Sequence, residues 1–394
     1  MKQIFTNFVA IDNKKISKKD IYVEDGKIVE KFEKDNCEII DCNGLFLFPS
    51  FCDLHVHFRD PGFTYKEDLE TGSLSALKGG YTTVNLMANT NPIVSSVEIY
   101  NDIINRSKKL DLIDIYQSYS ITENEDGKTL DHLDFMPKDV KFISDDGHGV
   151  DDDYTMYLAM KKAKELSVNM TLHEEVKNLS SIDYRIAEDL MTIRDCYLSY
   201  VLNKEIHFSH VSTQGSIKAI EYFKKLGADI TCEVTPHHIY FSNRNDLKVN
   251  PPIREERDRK ALINAIQNNI VDAISTDHAP HSKEDKEKSA PGYIGLESAF
   301  AICYKALVET GYISLNKLID IMSTKPCEIL KIKKGKIECG YDADFTLVDL
   351  DCEKYIYSVD DIVSKSKNSP YIGETFSTRI KKVFKKGVLK YEYN

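Results

Sequence analysis

The sequence predicts an α/β protein: a (β/α)8 barrel with a small β-domain built from both chain termini. Two observations carry this expectation. Between about residues 50 and 330, short β-like runs alternate with longer helical patterns, which makes a parallel sheet with helical crossovers. Outside that stretch the two ends read as hairpins with glycine turns. A doubly wound open sheet is the competing architecture for the middle.

The strand-like runs are, in order, 51–57, 81–89, 113–121, 140–145, 168–174, 205–211, 228–235 and 270–277, eight in all. Between them, Met156, Ala159, Met160 and Ala163 in TMYLAMKKAKEL recur at helical spacing, as do Phe300, Cys303, Tyr304, Leu307 and Val308 in AFAICYKALV. Each such segment has one apolar face to lay on the sheet. At the ends, Asp25-Gly26 in IYVEDGKIV and Lys386-Gly387 in VFKKGVLKYEY are hairpin signals, and 334–351 is strand-like with glycine breaks. The expected division is 1–48 with 333–394 as a small β-sandwich-like domain, and 49–332 as the barrel.

Composition narrows the function. A 394-residue chain with 42% hydrophobic and 29% charged residues is that of an ordinary globular protein. A net charge of −11 argues against nucleic-acid and anionic-membrane partners. Nine scattered cysteines without a C-x-x-C pair suit reduced thiols in a cytoplasm. MKQIFTNFVAIDNKK has no secretory pattern and no run reaches membrane-spanning length, so a cytoplasmic location is expected and Asn178-Leu-Ser is read as a chance glycosylation match.

Chemistry gathers where the predicted strands end. In FPSFCDLHVHFRDPG, alternation puts His55 and His57 on one face with Val56 opposite. Barrel enzymes draw their active groups from the C-terminal ends of several strands. Here those ends carry His55 and His57, Asn89, Asp145 and Asp146, His173, His210 and Asp277. Any one alone reads as a cap or surface group; all at one rim read as metal ligands. Four imidazoles and two carboxylates exceed what one tetrahedral Zn2+ takes. Two ions sharing a carboxylate and a hydroxide use all six, a pair suited to amide hydrolysis, with Asp277 in STDHAPH as candidate proton relay.

These residues resemble the type I dihydroorotases of the amidohydrolase superfamily. The resemblance rests on Asp53-x-His55-x-His57-x-Arg59-x-Pro61-Gly62, Met87-x-Asn89-Thr90, Asp145-Asp146-Gly147, Ser209-His210-Val211-Ser212, Thr235-Pro236-His237-His238, Asn250-Pro251-Pro252 and Thr276-Asp277-His278-Ala279-Pro280-His281. It covers nearly the whole chain, and several motifs are shared with allantoinases and hydantoinases. Ser-Asp-Asp-Gly at the fourth strand, where hydantoinases carry a carboxylated lysine, favours dihydroorotase.

The resemblance implies that His55, His57 and Asp277 hold one zinc, His173 and His210 a second, and Asp146 bridges them, with Asp145 as the alternative bridge. One or two Zn2+ ions are expected, two favoured. It also implies that Arg59 and Asn89 grip the substrate carboxylate, and that Asn250, His281 and the Pro291-Gly292 turn bind the ring. The implied reaction interconverts N-carbamoyl-L-aspartate and (S)-dihydroorotate in pyrimidine (UMP) biosynthesis, with allantoinase or hydantoinase chemistry, or a noncatalytic scaffold, as alternatives. A homodimer and association with an aspartate transcarbamoylase stay open. His237 and His238 are read as orienters, and His132, His148, His207 and His278 as structural or unassigned. The run KEDKEKS, 283–289, is read as a solvated loop. Two departures stand out: His173-Glu174-Glu175 replaces the usual His-Cys-Glu-Asp, and only 36 residues separate His173 from His210.

Overall fold

The computed structural model describes residues 1–393. Its centre is a ring of eight strands: Phe51–Val56, Tyr81–Leu86, Asp114–Gln117, Phe142–Ile143, Asn169–Leu172, Ile206–Phe208, Ile230–Val234 and Ala273–Ile274. Successive strands pair in parallel. Parallel bridges between Tyr119 and Ile143, and between Val56 and His278, join third to fourth and eighth to first. That closure removes the free edges an open sheet would keep, so the barrel stands and the doubly wound alternative falls.

Most strands are shorter than the sequence suggests, because the polar residues at their C-terminal ends leave the ladder. His210 (φ 31°) and Asp277 (φ 48°) adopt the left-handed region, as does Arg59 (φ 59°) after the first strand. Non-glycine residues are uncommon there, and such turns re-aim side chains. Helix Asp153–Glu165 buries Met156, Ala159, Met160 and Ala163, the face the periodicity predicts. The 299–308 segment is not one α-helix: after Ala299–Cys303 it widens, with Glu309 N–H donating to Tyr304 O at 3.0 Å. The 283–289 run is also more ordered than expected. Ser282 and Asp285 form a capping box that starts a short helix, Lys283–Glu287.

Both chain ends enter one six-stranded sheet, in the order Val388–Glu392, Arg379–Lys385, Phe345–Asp349, Phe46–Pro49, Val9–Ile11, Ile16–Ser17. A four-stranded sheet, Lys27–Val29, Ile21–Glu24, Lys2–Thr6, Glu38–Asp41, adjoins it. Both hairpin turns place their two central residues at positive φ, Asp25-Gly26 at 48° and 77° and Lys386-Gly387 at 49° and 74°. Phe5 meets Phe345 and Phe384 edge-on, each at 5.0 Å, so one aromatic cluster joins the N- and C-terminal strands. The segment around Tyr357, Tyr371 and Phe376 instead packs on Phe241, Val249 and Ile294 of the barrel loops. Among the described residues no helix is long and apolar enough to cross a membrane. Phe5→Ala should empty the terminal cluster and cost about 3–5 kcal/mol, read as a lowered denaturant midpoint.

Candidate metal centre

Four imidazoles surround one carboxylate. His55 Nε2 lies 3.2 Å from Asp146 Oδ1, His173 Nδ1 and His210 Nε2 each 3.5 Å from the same oxygen, and His57 Nε2 3.5 Å from Asp146 Oδ2. Asp277 Oδ1 completes the group at 3.1 Å from His57 Nε2 and 3.7 Å from His55 Nε2. Two ligand sets result, His55–His57–Asp146 and Asp146–His173–His210, all buried, with Asp146 common to both. Asp145 does not join them. Its carboxylate accepts from Ile121 N–H at 2.7 Å, Thr122 N–H at 3.0 Å and Thr122 Oγ1 at 2.5 Å.

Three of the four imidazoles, those of His55, His57 and His173, are oriented by the nitrogen they turn away from Asp146. His55 Nδ1 lies 3.1 Å from Glu233 Oε1, His57 Nδ1 2.9 Å from Asn89 Oδ1, and His173 Nε2 3.0 Å from Glu175 Oε2. An N–H donated to each acceptor leaves the other nitrogen's lone pair toward Asp146, the tautomer a metal requires. Asn89 also donates to Asp146 Oδ2 at 3.2 Å, making it a strut between two ligands. Asp53 ties the first strand to the eighth by accepting N–H groups from His55 at 3.0 Å and Thr276 at 3.1 Å.

The donors fit a divalent cation. His55 Nε2 and Asp146 Oδ1 are buried and make no hydrogen bond, so the lone pairs converging on this point lack a partner. Burial opposes ionisation, yet the surrounding imidazoles hold Asp146 well below the usual carboxylate range, and Asp277 is held at about 2 by His57 and its neighbours. Against the same burial, Asp146 and Glu175 push His173 up to about 9. A third acidic group, Asp114, Asp342 and Asp344, is different in kind. Lys334 Nζ sits 2.5 Å from Asp114 and 2.6 Å from Asp344, Lys385 Nζ 3.0 Å from Asp114, and Lys27 pairs with Asp342, so three lysines balance the three carboxylates.

Beside the metal-type cluster, Arg59 donates through Nε to Pro280 O at 3.3 Å and lies 3.4 Å through Nη2 from His281 Nε2. Burial and the Arg59 charge lower His281 to about 3, and its Nδ1 is buried without a partner. Gly292 (φ 119°) closes on this point so tightly that a Cβ would meet the Ala279 Cβ at 2.6 Å, which requires glycine after Pro291. Asn250 donates to Glu175 Oε2 at 3.0 Å, the oxygen that also partners His173.

The sequence matches the amidohydrolase family over residues 46–390. A dihydroorotase of Clostridium botulinum (strain Eklund 17B / Type B) is 47% identical over 398 residues, covering 100% of both chains. Another, from Elusimicrobium minutum (strain Pei191), is 38% identical and covers 100% of this chain and 98% of its own. This chain belongs to the amidohydrolase family, among the dihydroorotases. Among solved structures, the dihydropyrimidinase of Brevibacillus agri NCHU1002 superposes with a TM-score of 0.86 at 20% identity, covering 99% of this chain and 95% of that one. The D-hydantoinase of Thermus sp. gives 0.86 at 24%, covering 100% and 96%. These two share the fold.

Three groups around this amidohydrolase site were not singled out from the sequence. Glu233 accepts from His55, His207 and Ser275 at once; its signal was a glutamate inside the β-run TCEVT. Glu175, in the departure after His173, is the acceptor that sets that ring. Asn368 clamps two points of the connection after the eighth strand, accepting from His281 N–H at 3.3 Å and donating to Gly292 O at 3.2 Å. Of the paired histidines, His238 is locked between Thr235 Oγ1 at 2.8 Å and Pro251 O at 3.0 Å, whereas His237 Nε2 is buried and unpartnered. His278 accepts backbone N–H groups from Gly295 and Leu296 and is structural.

Metal ligation needs neutral imidazoles, while metal-free His173 holds its proton until about 9. Binding of a divalent ion to metal-free protein at pH 7.5 should therefore release protons, and apparent affinity should rise with pH until His173 has deprotonated. Calorimetry in buffers of different ionisation enthalpy measures this; a buffer-independent heat would contradict it.

Proposed function

We propose that the chain interconverts N-carbamoyl-L-aspartate and (S)-dihydroorotate, the ring-forming step of pyrimidine biosynthesis. The observation that carries the reading is the placement of Arg59, paired with a neutral His281, beside a carboxylate-bridged cluster of four imidazoles. A chain of net charge −11 needs local positive charge to hold a carboxylated ring, and a guanidinium supplies it in a geometry that matches a carboxylate.

His55, His57 and Asp277 are the proposed ligands of one Zn2+, His173 and His210 of a second, with Asp146 common to both. Bound there, the ions would polarise the ring amide and make water acidic at neutral pH. Asp277 takes the proton from the attacking water and passes it to the ring nitrogen as the amide opens; ring closure runs the same path backwards. Arg59 takes the substrate carboxylate. Asn89 reaches that carboxylate by exchanging its contact with Asp146, and Asn250 with the Pro291-Gly292 turn bounds the ring. His281 adds its unpartnered Nδ1 without adding charge. A cytoplasmic location accords with nine unpaired cysteines.

Hydantoinase-type chemistry is the second reading, favoured by the fold shared with the D-hydantoinase of Thermus sp.. Arg59→Met separates the two. It should lower kcat/KM on dihydroorotate by roughly a hundredfold, the worth of charge-assisted hydrogen bonds, with zinc content unchanged; undiminished turnover would favour the rival. Asp277→Asn, at retained zinc content, should cost about 10²–10⁴ in kcat. Wild-type-like turnover would remove Asp277 as the relay, and a chain that neither binds zinc nor regains activity with it would be a scaffold.

A further inference from the structure

The short helix Lys283–Glu287 follows the eighth barrel strand and precedes the Pro291-Gly292 turn. Its capping box fixes which side chains face inward: Lys283 and Lys288 are exposed, whereas Lys286 is half-buried. Among the described residues Lys286 has no carboxylate partner, and burial lowers its ammonium to about 8. Its neighbour Asp285 is taken by Lys66 at 3.3 Å. A half-buried cation without a counter-ion needs compensation from other polar groups.

Backbone carbonyls supply it. Lys286 Nζ donates to Ala290 O at 2.8 Å, Gly292 O at 2.9 Å and Lys248 O at 3.4 Å, and stands 3.9 Å from the centre of the Tyr293 ring. Three acceptors match the three donors of an ammonium, and the face of an aromatic ring is the complementary surface for a cation. Lys248 O also accepts from Gly292 N–H at 2.9 Å, and Asn250 follows two residues after Lys248. One charge thus ties together the two segments that bound the ring in the function proposed above. At a φ of 119° Gly292 has the freest backbone of the turn, so the direction of its carbonyl depends on what bonds it: Lys286, and Asn368 Nδ2 at 3.2 Å.

We propose that Lys286 is a positioning residue for the ring-binding side of the site: its ammonium gathers the carbonyls of Lys248, Ala290 and Gly292 and so fixes the Pro291-Gly292 turn against the Asn250 segment. The inference rests on the dihydroorotase reading of the site. Without the charge, three carbonyl oxygens converge on a gap that holds no donor, and the turn relaxes until water reaches them. Asp277 and the four imidazoles keep their own partners, so the loss falls on substrate binding rather than on the chemical step.

Lys286→Met, which keeps most of the stem and removes the charge, tests this in the full chain reconstituted with zinc at pH 7. KM for dihydroorotate should rise about tenfold, the worth of one hydrogen bond, with kcat within about twofold and zinc content unchanged. Amide exchange read by mass spectrometry should speed up in peptides covering 246–250 and 288–293 and stay as in wild type over Tyr184–Leu202. Lys286→Cys alkylated with 2-bromoethylamine rebuilds the ammonium and should restore both readouts, with alkylated wild type as the control. An unchanged KM, a KM rise without faster exchange in the turn, or a loss of kcat at unchanged KM would overturn the proposal. A wild type that leaves dihydroorotate unaltered defeats the reading of the function, and exchange in the turn then decides the positioning role by itself. If Lys286→Met misfolds, the cysteine variant before and after alkylation decides it.

Discussion

The structure depends on one buried carboxylate shared by four imidazoles. Asp146 lies within 3.5 Å of a ring nitrogen of each of His55, His57, His173 and His210, although these residues come from strands 1, 4, 5 and 6. Bringing so many polar groups out of water costs far more than their hydrophobic surroundings return, unless each atom has a partner. Glu233, Asn89 and Glu175 supply partners on the outer side of three rings. The inner lone pairs are left convergent, and a divalent cation is the partner that removes their mutual conflict. What is unfavourable in the bare fold is thus what gives the site its affinity.

The mouth depends on parts of the chain remote in sequence. Arg59 and His281 approach each other because the loops after the first and eighth strands are pinned from outside. Ser366 Oγ donates to Lys66 O at 2.7 Å, Lys365 N–H to Glu67 Oε1 at 3.2 Å, and Asn368 spans His281 and Gly292. A C-terminal segment, 365–368, therefore fixes the spacing of the loops that carry Arg59 and His281. On the outside, helix Tyr184–Leu202 holds the turn following His210: Glu188 accepts from Ser212 N–H at 2.9 Å and Thr213 N–H at 3.1 Å.

Much of this was legible in the sequence because the relevant patterns are local. Alternation of His55 and His57 is a property of two residues on one strand, and the glycine turns at Asp25-Gly26 and Lys386-Gly387 follow from which residues tolerate positive φ. Strand lengths were less legible, since His210 and Asp277 leave the ladder through left-handed backbone conformations that composition does not reveal. Asp145 and Asp146 are chemically identical neighbours. Only the packing of Ile121 and Thr122 against the first of them separates a structural carboxylate from the one that faces the histidines. Asn368 and Glu233 carry no local signal of their roles, because their partners lie 87 and 178 residues away.

By itself the sequence determined the strand and helix alternation, the residue types at the strand ends and, through its motifs, the family, because hydrophobic period and turn chemistry act over a few residues. The tertiary structure alone decided the closure of the barrel, which aspartate faces the histidines, which nitrogen of His55, His57 and His173 faces it, and how the C-terminal segment spaces the mouth. Those outcomes depend on distances between groups that the chain brings together only when it folds.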